Sequence, residues 1–110
     1  MEQPIIIRSL GDAKRAFEES SGSIILMSVP NAAASLGVVG FLEMVTAAAS
    51  EYAGREFTAI LDCGDQAGLA MNALRLGAKD ISVDLPQDVR AKIEDIAKQC
   101  GASLHHRPNS

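Results

Sequence analysis

The sequence predicts an α/β domain, a three-layer sandwich around a mostly parallel five-stranded sheet. Five short apolar runs alternate with four helical patterns along 110 residues. Strands alternating with helices of this length imply right-handed crossovers and parallel pairing. Cap and turn residues stand at the boundaries where such units begin and end.

The elements follow in order. An isoleucine-rich run at 4–8 is the first strand, and Ser9-Leu10-Gly11-Asp12 has the spacing of a capping box that opens a helix over 12–20. The second strand spans 23–29. A long apolar helix over 36–53 follows the loop 28–37. The run Phe57-Thr58-Ala59-Ile60-Leu61 is the cleanest buried strand, ending at 62, and it feeds a helix over 66–76. Residues 80–84 form the fourth strand, and Asp84-Leu85-Pro86-Gln87 repeats the capping spacing before a helix over 87–100. In that helix Val89, Ile93, Ile96, Ala97 and Cys100 make one stripe, with charged residues off it. The last strand is 102–105, and 106–110 reads as a frayed tail. Gly54, Gly77 and Gly101 each stand just past a helical pattern, where a left-handed cap is wanted.

Length and composition bound the function. A chain of 110 residues is expected to be one domain, 1–110, with a single core. Aromatics are 4% and Trp is absent, so alanine and aliphatic residues must fill that core, and a module that stacks bases is disfavoured. Net charge is −4 and no basic cluster exceeds Lys14-Arg15, so the electrostatic footprint of a nucleic-acid binder is missing. No apolar run approaches the ~20 residues that span a bilayer; the nearest, 29–49, is broken by Pro30, Asn31, two glycines and Glu43. With no secretory pattern either, the expectation is a cytoplasmic protein with two reduced cysteines, no membrane or nucleic-acid partner, no cofactor and no metal.

The second helix carries more apolar surface than one sheet can cover. Between Val38 and Ala49 its only charge is Glu43, and Glu43, Thr46 and Ser50 form a narrow polar line. Packing on a sheet needs an arc of only ~100°. The surplus predicts a homo-oligomer in which Val38, Val39, Phe41, Leu42, Met44 and Val45 are shared between the sheet and a partner subunit. The competing explanation is that residues 32–37 and the first helix cover the excess within one chain.

Parallel strands bring their carboxyl ends to one edge, where open α/β sheets bind ligands. That edge would collect Ser9, Ser28, Asn31, Asp62, Cys63, Asp65, Asp84 and the pair His105-His106. The ligand-binding candidates are Asp62, Cys63, Asp65, Ser9, Ser28 and Asn31; none is assigned a catalytic role. Asp62 has the strongest case, because a carboxylate ending a buried strand is desolvated unless something pairs with it. The structural alternative gives Asn31, Asp65 and Asp84 ordinary capping roles. Cys63 stands at a helix N-terminus, which lowers a thiol pKa, while Asp62 and Asp65 raise it; a buried structural cysteine is the better reading. A Cys63–Cys100 disulfide is excluded, since strand and helix run antiparallel and a strand length of ~17–20 Å separates the two. The loop 28–37 lacks the lysine and the glycine spacings of nucleotide cradles.

Two local resemblances accompany this reading. Ala73-Leu74-Arg75-Leu76-Gly77-Ala78-Lys79-Asp80-Ile81 resembles the end of a response-regulator receiver domain. Receivers imply a phosphoaspartate, a role only Asp62 could imitate here; the first strand ends Arg8-Ser9, without the acidic pair for magnesium. The stretch 35–84 resembles the second half of a STAS domain, which implies a regulatory phosphorylatable serine at Ser35. As a whole the chain is similar to small α/β proteins of bacteria, which imply no activity. The expected strand order is flavodoxin-like, 2-1-3-4-5, with a STAS-like mixed sheet as the alternative. In the first order His105 lies ~10 Å from Asp62, too far for a direct dyad. The leading functional expectation is a non-enzymatic regulatory or protein-interaction module with an unidentified protein partner, able to hold a small polar ligand at the carboxyl edge. The alternative is a small enzyme or receiver-like phosphoacceptor that uses Asp62.

Overall fold

The structure, a computed structural model, describes residues 3–106. Its elements run β1 (Ile5–Ile7), α1 (Leu10–Glu19), β2 (Ile24–Ser28), α2 (Ala32–Ser35), α3 (Val38–Ser50), β3 (Phe57–Asp62), α4 (Ala67–Arg75), β4 (Asp80–Val83), α5 (Gln87–Gln99) and β5 (Ser103–His106). Of the tail expected over 106–110, His106 closes β5 and the rest lies outside the described residues. The α/β class and the five-stranded parallel sheet are as the alternation of patterns predicts. Among the described residues no strand is antiparallel, which removes the mixed-sheet alternative.

Cap chemistry explains most boundaries. Ser9 Oγ accepts the Asp12 N–H at 3.2 Å, and the Asp12 carboxylate reaches back to the Arg8 N–H at 2.9 Å, so α1 opens on reciprocal bonds. At the end of α4, Gly77 turns left-handed at φ 102°; its N–H donates to the Leu74 carbonyl while the Ala78 N–H donates to that of Ala73. These two bonds satisfy carbonyls that the helix end would otherwise leave open. The second expected capping box does not hold the N-cap position. Pro86 occupies the N-cap position of α5 without a side-chain bond, and the Asp84 N–H instead donates to the Gly64 carbonyl at 2.8 Å, extending the pairing of β3 with β4.

The loop 28–37 contains α2, which periodicity could not reveal because four residues barely complete one turn. Asn31 enters it in the left-handed region at φ 60°, and Gly37 at φ 89° separates it from α3. A side chain would resist that second conformation, so α2 and α3 stay distinct rather than fusing into one helix.

Strand order is β1-β2-β3-β4-β5, and this corrects the flavodoxin-like 2-1-3-4-5 expectation. Short runs of β-formers fix where strands lie, but neighbours in a sheet are chosen by packing that the pattern does not encode. In sequential order every right-handed crossover steps the same way and lays its helix on the same side. The helix contacts agree: α1 packs on α3, α3 on α2, α2 on α4, and α4 on α5. Buried residues of all five helices join one cluster with Ile7, Ile24, Leu26, Leu61, Ile81 and Val83. The alternate strand positions Ile6, Ile25, Met27, Thr58 and Ile60 fall outside that cluster. Ile6 is 41% exposed at the β1 edge, while Met27 and Ile60 are screened.

The core is aliphatic, with one aromatic knot. Phe17 stacks on Tyr52 with centroids 5.3 Å apart and meets Phe57 edge-on at 5.5 Å. Arg55 lies over the Phe17 ring and donates to the Phe17 and Gly22 carbonyls, tying the end of α1 to the segment before β3. In α3, Val38, Phe41 and Val45 are buried in the chain's own core, and Leu42 and Met44 are half-buried against it. Val39, with Leu36 just before the helix, remains about half exposed.

Candidate functional site

The site is built where β3 changes neighbours. From Ile24 to Met27, β2 is paired with the first part of β3, while Leu61 and Asp62 pair with Ile81 and Ser82 of β4. Beyond that switch the Asp62 N–H finds the Ser28 hydroxyl, at 2.9 Å, in place of a strand carbonyl. The same hydroxyl donates to the Val29 carbonyl at 3.1 Å. A serine at the end of β2 therefore satisfies a backbone donor that the parting strands would strand.

The Asp62 carboxylate faces two more donors. Its Oδ2 accepts the Asn31 backbone N–H at 2.7 Å, and its Oδ1 accepts the Ser82 hydroxyl at 2.7 Å. Asp62 is 1% exposed and Ser82 is fully buried. Burying a carboxylate is costly unless charge-assisted hydrogen bonds replace water, and these donors do so from the β2–α2 loop and from β4. The left-handed turn at Asn31 belongs to the same arrangement, because its N–H is the group the carboxylate receives. Asp62 thus joins three consecutive chain segments beneath the surface.

Cys63 is fully buried beside it. Desolvation pushes its thiol up from 9.0 to about 12, and the neighbouring Asp62 carboxylate adds to the shift. The thiol form prevails at neutral pH, so the thiolate that nucleophilic chemistry requires is not supplied. Cys100 is free and exposed at the end of α5, and no disulfide forms.

The remaining candidates disperse. Ser9 caps α1 at the end of β1, two strand spacings from β3. Asp65 is exposed and does not cap α4, whose N-cap position is Gln66 without a side-chain bond; the capping role expected of Asp65 is thereby corrected. Asn31 likewise offers its backbone, not its side chain, at the start of α2. Ser35 is exposed at the end of α2, with its hydroxyl 3.5 Å from the Asn31 carbonyl. The structure brings Asp62, Cys63, Ser28 and Asn31 together, and leaves Ser9, Ser35 and Asp65 outside that cluster.

One polar residue, Ser82, is absent from the sequence-based candidates, and the partner of another, His105, is not among them. Ser82 is the only polar residue between the apolar Ile81 and Val83, and a lone hydroxyl in a buried strand was the signal that could have found it. His105 pairs in register with Ser82, and its Nε2 lies 2.8 Å from Asp80 Oδ1 at the β4–β5 edge. Pairing of His105 with Asp80 depends on β4 and β5 being neighbours in that register, which spacing alone does not give. Among the described residues no three His, Cys, Asp or Glu side chains are placed to hold a metal ion. At the opposite, amino edge, Ser23, Ile25, Arg55, Glu56 and Thr58 line an open cleft of about 690 Å³.

No family model matches the chain, and no curated protein or solved structure matches it. Among the described residues no helix is long and apolar enough to cross a membrane.

Proposed function

We propose that the protein is a non-enzymatic interaction module that works by docking another protein chain, in the first instance a second copy of itself. The observation that carries this reading is the sequential order of an all-parallel sheet, in which right-handed crossovers would lay the helices against one face. Parallel sheets occur almost only with both faces covered. Among the alternate strand positions Met27 and Ile60 are already buried, but Ile6 is exposed and Ile25 and Thr58 are half-buried, and Leu36 with Val39 adds an exposed apolar step at α3. Burying a Leu or Val fully is worth ~1.5–3 kcal/mol each, enough for a few such contacts to favour association.

The phosphoacceptor and enzyme readings gain less support. A carboxylate that is 1% exposed, with donors on both oxygens, presents no free oxygen to an incoming phosphoryl group. The neighbouring thiol is held protonated. A small polar ligand at this edge would have to meet the exposed Asp65 and Asn31 rather than Asp62.

Sedimentation velocity across a micromolar concentration series tests the proposal. Self-association should appear as a mass above 11.6 kDa that rises with concentration. Ile6→Lys would abolish it if the sheet face is the interface, and Val39→Lys if α3 is. A mass fixed at the monomer value rules out the second copy as partner. NMR titration with magnesium and acetyl phosphate separates the enzyme class: specific shifts at Asp62 and Cys63 would favour phosphoryl chemistry over docking.

A further inference from the structure

We draw no further inference here: the strongest candidate, the groove between α4 and α5 where the exposed Cys100 lies beside Met71 and Ile96, is a lone thiol on an apolar face, and nothing in the structure shows what covers it.

Discussion

Replacing Ser82 by alanine removes one hydroxyl and leaves Asp62 Oδ1 without the donor it meets at 2.7 Å. Both residues are buried, so water has no ready route to take the hydroxyl's place. A hydrogen bond to a charged group contributes ~1.5–3 kcal/mol, and the loss is larger when a buried partner keeps its desolvation cost. Ser82→Ala should therefore destabilise the fold by about 2 kcal/mol. With a urea m-value of ~1–3 kcal/mol/M for a domain of this size, the midpoint should fall by roughly 1 M. Far-UV circular dichroism follows the transition, since the chain has no Trp. Asp62→Asn supplies the control. Its amide oxygen can still accept the Asn31 N–H, and its amide nitrogen can donate to Ser82 Oγ, so its loss should be smaller. The double-mutant cycle between the two sites should give a coupling of ~1 kcal/mol or more. A Ser82→Ala midpoint within ~0.5 kcal/mol of the parent protein, or a coupling near zero, would refute the account of Asp62 as a structural tie.

Cys63 and Cys100 should react very differently with a disulfide reagent at pH 8: Cys100 promptly, and Cys63 only once denaturant opens the core, with two immediate equivalents counting against the buried thiol. Because the folded Cys63 stays protonated up to about 12 while the unfolded thiol ionises near 9.0, the unfolded state loses its proton first. Its contribution is complete below pH 9 and declines as pH rises toward 12, by up to ~1.4 kcal/mol per pH unit. A Cys63→Ala variant should lack that part of the alkaline loss in parallel urea titrations. Phe41→Ala, at a fully buried position of α3, should cost ~3–5 kcal/mol, measured as a lowered thermal midpoint. Val39→Lys, at an exposed position of the same helix, should stay within ~0.5 kcal/mol of the parent in the same scan, whatever it does to association.

The contrast between α3 and the Asp62 cluster marks what the sequence made legible. Element positions were readable because hydrophobic period and cap chemistry are local: Ser9 opens α1, Gly77 closes α4, and β3 spans the apolar run that ends at Asp62. Asp62 itself was readable as a desolvated carboxylate. Its partners were not, because Ser28, Asn31 and Ser82 meet it only once β2, β3 and β4 are neighbours. Strand order is a long-range choice, and the same alternating pattern is compatible with several orders. Asp65 and Asp84 misled for the complementary reason: each stands at a plausible capping distance, yet the N-cap positions of α4 and α5 fall to Gln66 and Pro86.

The sequential strand order also shapes how the chain can assemble. Each new strand adds to an edge that the preceding one has just provided, so no strand is ever inserted between two that are already paired. A polypeptide emerging from the ribosome could lay down β1, α1 and β2 first and extend the sheet unit by unit. Each pairing joins strands that are consecutive in the chain, so each closure spans a single crossover. The Ser28–Asp62 bond would then form with β3 and the Asp62–Ser82 bond only when β4 arrives, fastening the earlier strands after they are in place.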